Sequence, residues 1–168
     1  MDASVNYLLR IVNGEIQHAE DVFRHLKEKE KMLISGDSEA FRNLTMKEHS
    51  LFLKSRELEN SRLAVVGVIA NKMRFPSGKI TLKMLAEKLD PGFSQTLMTM
   101  RNTLHDLLTN IQYQNRKCEA LLKKTIEIVN HSMGILCGKN RHRSKMVYNR
   151  QCKVDSKYYL HNLMDRKG

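Results

Sequence analysis

Apolar residues recur along this chain at alternating steps of three and four, the period of an amphipathic helix, over three long stretches. In the first, residues 3–34, the row is Val5, Leu9, Val12, Ile16, Ala19, Phe23, Leu26, Glu30 and Leu33. Between these lie Glu15, Gln17, Glu20, Arg24, Lys27, Glu28, Lys29 and Lys31, a polar face. Ser35-Gly36-Asp37 then reads as a stop and a start. Gly36 suits the left-handed residue after a helix, and Asp37 suits an N-cap, with Glu39 near the positive end of the next helix. So short a connection predicts antiparallel packing. The second stretch, about residues 38–73, repeats Leu44, Leu51, Leu58 and Val65 at sevens, flanked by Phe41 and Ile69. Glu48, Ser55 and Arg62 are interleaved with them. This seam is more polar than the first and is expected to be partly solvated, with Glu48 in water.

Phe75-Pro76-Ser77-Gly78 ends the second helix, because proline lacks the amide hydrogen that helix propagation needs. Thr81 is placed to cap a short helix over residues 82–89, and Asp90-Pro91-Gly92 closes it. The third long stretch runs from Phe93 to Cys137. Its two rows are Leu97, Leu104, Ile111, Cys118, Thr125, Ser132 and Met100, Leu107, Gln114, Leu121, Ile128, Ile135. A further row, Leu108, Leu122, Val129 and Leu136, strengthens toward the end, as a heptad stripe drifts on a straight helix. At roughly 1.5 Å per residue this helix is about 65 Å long, so it needs partner helices of similar length. The pattern predicts an elongated all-α protein: an antiparallel bundle or coiled coil of three long helices, a short connector helix and a flexible basic C-terminal tail. The expected division is a helical domain over residues 1–138 and a partly disordered tail over 139–168, with a short terminal amphipathic helix.

Composition agrees with this. The chain has 168 residues, no Trp and two Pro, which favours one helical domain over a sheet-built core. Three cysteines make no disulfide framework, so a reducing compartment is expected. No apolar run approaches a bilayer span and no secretory signal is read at the N-terminus, so no membrane insertion is expected. Of the net charge of +11, residues 139–168 carry +7, from nine Lys or Arg against Asp155 and Asp165. The body is therefore nearly balanced and the tail is a basic appendage.

The motif search yields no phosphate loop, nucleophile elbow or zinc spacing, so no catalytic residue, metal or cofactor is assigned. His18, Asp21 and His25 share a helical face, but their spacing is loose for a metal and reads as a solvated face. Cys118 lies on the apolar stripe and reads as core. The tail carries more. Tyr148, Val154, Tyr158, Tyr159, Leu160, Leu163 and Met164 lie beyond the bundle, with nothing obvious in the chain to cover them. They are the candidate partner-binding residues, as an amphipathic segment that orders on a partner helix. The alternative is a basic coiled-coil adaptor that binds nucleic acid through Arg141, Arg143, Lys145 and Arg150, with Tyr148 for stacking. A disordered tail that only adds solubility is the third reading, and client capture is preferred over both.

Several local matches together resemble one family. They are Glu28 to Leu33 running into Ser35-Gly36-Asp37-Ser38-Glu39-Ala40, and Leu44-x-x-Lys47-x-x-x-Leu51 followed by Leu58-x-x-x-Arg62. Ile80-Thr81-Leu82 with Leu85, Asn115 ahead of Leu121-Leu122, and Tyr148 complete the set. Over about residues 8–152 this is similar to the FlgN-like export chaperones of the bacterial flagellum. Cys118 and Cys152 stand where that family commonly has Asn and Gly. The resemblance implies a cytoplasmic chaperone without enzymatic activity. Its clients would be the hook–filament junction proteins FlgK and FlgL, held by their helical termini. It would keep them from assembling early and deliver them to the export gate and its ATPase complex.

Overall fold

A computed structural model of the chain describes residues 2–75 and 80–137, and all regular structure among them is helical. The order is α1 Asp2–Ser35, α2 Ser38–Lys72, α3 Leu82–Ala86 and α4 Pro91–Leu136. The chain divides into two units, Met1–Glu119 and Ala120–Gly168.

The turns form by the chemistry the sequence advertises. Gly36 adopts φ 73°, which a side chain resists, and its amide bonds back to the Met32 carbonyl. The Asp37 carboxylate accepts the Ala40 amide at 2.9 Å, and the Thr81 hydroxyl accepts that of Met84 at 3.2 Å. α3 stops at Ala86, short of Leu89. α4 starts at Pro91, two residues before Phe93. Proline serves as the first helical residue because its missing amide hydrogen has no helical partner there, and it disfavours helical backbone at Asp90. The Asp90 carbonyl then accepts the Ser94 amide at 2.9 Å.

Within the first unit, α1 and α2 run antiparallel. The contacts in order are Ser4 with Lys72, Glu15 with Arg62, His18 with Leu51 and Ser55, and Lys29 with Glu48. α4 runs parallel to α1: Leu97 joins Val5, Leu8 and Val12, while Gln114 and Cys118 reach Glu30 and Leu26. The apolar core lies at the end where α3 packs, with Val66, Ile69, Leu85 and Ala86 completing it. Each large side chain buried there contributes about 1.5–3 kcal/mol before entropy is set against it.

Three readings change. Because α1 packs on two neighbours, its buried stripe is wider than one row: Leu8 and Ile11 are buried, while Leu9, Ile16, Phe23 and Leu33 are only half-buried. His18 and His25 are buried, not solvated, because that extra width carries their positions into the α1–α2 seam. Glu48 is half-buried and ion-paired, since Lys29 crosses the seam to it. The second seam is otherwise as expected, with Leu44 buried and Leu51, Leu58 and Val65 half-buried. Among the described residues no helix is long and apolar enough to cross a membrane.

Candidate partner-binding surface

Within the second unit, the last turns of α4 expose their apolar residues. Ile128 and Ile135 form one row, seven apart, and Val129, Met133 and Leu136 form the adjacent one at steps of four and three. Leu136 is 80% exposed and Ile128 66%. Glu127 is the only Asp, Glu, Lys or Arg between residues 126 and 137, so covering this stripe strips water from little charge. Such a stripe suits the helix-on-helix mode of recognition, in which residues one and two turns apart serve as anchors. The tail residues Tyr148, Val154, Tyr158, Tyr159, Leu160, Leu163 and Met164 lie outside the described residues.

The first unit's polar contacts are internal fasteners. Glu30, at a seam position of α1, accepts Nε2 of Gln114 and pairs with Lys117, both from α4. The Lys117 hydrogen bond, then that of Gln114, holds the Glu30 carboxyl below its usual range, and the same pairing raises Lys117. The Cys118 thiol donates to the Leu26 carbonyl at 3.4 Å. Burial pushes that thiol up, so it stays protonated and unreactive rather than serving as a nucleophile. Glu30 and Gln114 were visible in the sequence as two polar residues on otherwise apolar rows. Their pairing was not, because they are 84 positions apart.

On the α1–α2 side, Arg62 donates to Glu15 at 2.8 Å. Burial nonetheless raises the Glu15 carboxyl, with Arg62 opposing it. Nε2 of His18 reaches the Leu51 carbonyl at 3.0 Å and the Ser55 hydroxyl at 2.8 Å, and Nε2 of His25 lies 3.4 Å from Glu48. Among the described residues no three His, Cys, Asp or Glu side chains gather to hold a metal. The groove beside His25, lined by Asp21, Arg24, Glu28 and Lys47, is open to solvent and charged.

The candidate site is therefore the adhesive helix end in the second unit, while the first unit is locked by its own polar pairs. The family model described as FlgN protein matches residues 1–155. No curated protein and no solved structure matches the chain. That match runs through all four helices, over the capped turns and paired seams that shape them, and places the chain in the FlgN protein family, chaperones of flagellar export.

Proposed function

We propose that this chain is a cytoplasmic chaperone for the hook–filament junction proteins FlgK and FlgL. It binds their helical termini, prevents early assembly and delivers them to the export gate and its ATPase complex. The observation that carries this reading is the exposed, nearly uncharged stripe of Ile128, Val129, Met133, Ile135 and Leu136. The tail residues Tyr148, Val154, Tyr158, Tyr159, Leu160, Leu163 and Met164 are assigned to the same client. Burying four or five such anchors yields about 1.5–3 kcal/mol each. Ordering the segment takes back roughly 2–5 kcal/mol. What remains is enough for an affinity near micromolar, which suits a chaperone that must release its cargo. The role is binding, with no reaction catalysed.

Calorimetric titration of the full chain with the terminal helices of FlgK and of FlgL tests this. Ile128→Asp with Ile135→Asp, and separately Leu160→Asp with Leu163→Asp, should each weaken binding at least roughly tenfold, about 1.4 kcal/mol. Circular dichroism should be unchanged for the α4 pair, because those side chains support no core. Unaltered affinity in both variants would remove the client from this surface.

A further inference from the structure

α2 carries a second row with seam spacing. Arg42, Met46, His49, Leu53, Arg56, Asn60, Leu63 and Gly67 follow alternating steps of four and three over more than three heptads. Each sits two residues before a position of the row that faces α1 (Leu44, Glu48, Leu51, Ser55, Leu58, Arg62, Val65, Ile69), hence roughly 200° around the helix from it. All eight are exposed. Met46 is 72% exposed and Leu53 and Leu63 51% each, with Phe52 exposed on the flank. A charged outer face needs no such repeat. Apolar residues recurring at seam positions are what a helix presents to another helix.

The charges in this row identify the kind of partner. Arg42, His49 and Arg56 are seven residues apart, and no acidic residue stands in the row; Glu57 and Glu59 lie beside it. Neither Arg42 nor Arg56 enters an ion pair among the described residues. The Arg56 guanidinium lies 6.0 Å from the centre of the Phe52 ring, on the apolar edge of the row. A second copy fits poorly. Parallel pairing sets Arg42 against Arg42 and Arg56 against Arg56. The antiparallel register that matches Met46 with Leu63 gathers both Arg56 side chains at its centre. The chain's own residues 139–168 carry nine Lys or Arg against two Asp, the same sign as the row. We infer that the outer row of α2 is a docking seam for an amphipathic helix of another protein, one with Glu or Asp opposite Arg42, His49 and Arg56. Apolar contacts supply adhesion, and the repeated cations select an acidic helix over a basic one. This seam lies on a different unit from the α4 stripe, so it stands or falls independently of the client reading.

Two synthetic helices of about four heptads, long enough to fold in part alone, test this. Both carry Leu at the seam positions facing Met46, Leu53 and Leu63. One carries Glu, the other Lys, opposite the basic positions. Fluorescence anisotropy against the full chain should show the Glu helix binding at least roughly tenfold more tightly. Arg42→Glu with Arg56→Glu should reverse that preference, and Leu53→Asp should weaken both peptides. Each altered side chain is exposed, so thermal melts should match the unaltered chain and separate lost docking from lost folding. Equal binding of the two helices, no binding of either, or no reversal on charge exchange would overturn the inference. Sedimentation equilibrium provides the other arm: a dimer dissociated by Leu53→Asp would assign the seam to a second copy instead.

Discussion

At Glu48 one carboxylate meets the Lys29 ammonium and lies 3.4 Å from His25, at a position whose sequence context reads as solvent. Glu48→Ala leaves Lys29, only 15% exposed at its side chain, without its anion. It should destabilise the protein by about 1–2 kcal/mol in urea unfolding, and a silent substitution would mean that the pair is not formed in solution. Glu15 and Glu30 predict opposite pH behaviour. The folded Glu30 carboxyl is held below the ordinary value of 4.5, so its contribution is present above that value and is lost as pH falls through the folded one. Glu30→Gln should therefore flatten the acid limb of the stability curve. The folded Glu15 carboxyl is raised above 4.5. Its contribution is complete below that value and is lost as pH rises through the folded one. Glu15→Gln should remove that decline on the alkaline side of pH 4.5. Denaturant midpoints measured between acid and neutral pH check both signs.

The four helices differ in how firmly the fold holds them. α1 through the first half of α4 share the core around Leu8, Ile69, Leu85 and Leu97, all at 0% exposure. Leu97→Ala or Leu85→Ala should cost about 2–5 kcal/mol, since each leaves a cavity in a packed end. Leu104 and Leu107 lie on the same heptad rows but are only half-buried, so Leu104→Asp should destabilise less than Leu97→Asp in thermal melts. The reverse ranking would displace the core from the α3 end. Asp37→Ala removes the acceptor for the Ala40 amide and should cost about 1 kcal/mol. α3 has five residues, too few to persist unless its own Leu85 and Ala86 are buried against the core, so its stability is tertiary in origin.

For the whole molecule, the uneven charge bears on how a client is met rather than how it is held. With +7 of +11 in residues 139–168, the basic segment should accelerate encounter with acidic surfaces. Replacing Lys139, Arg141, Arg143 and Lys145 with Gln should therefore slow association at low salt yet leave most of the client affinity at physiological salt. Stopped-flow and equilibrium titrations at two ionic strengths separate these effects. A collapse of affinity with salt would favour phosphate contacts and hence the nucleic-acid alternative.

Local chemistry and periodicity determined the elements. A glycine that must adopt positive φ, an Asp or Thr one residue ahead of a helix, and apolar residues at steps of three and four act over a few residues and need no partner. That is why α1, α2 and α4, the Gly36 turn and both caps were legible, and why the family could be named from scattered matches. Only the tertiary structure decided which of several possible faces is buried. Periodicity marks an apolar row but not how many neighbours pack on it. Packing on two neighbours, α2 and α4, widened the buried stripe of α1 to take in Leu8, His18 and His25. Pairings across long separations, such as Glu30 with Gln114 and Glu48 with Lys29, likewise depend on register between helices. The outer row of α2 was also written in the sequence, more faintly than the inner one, with three apolar residues of eight against five. It could not be distinguished as unpartnered until the packing showed α1 on the opposite side, because burial is a property of the assembled fold and not of any one helix.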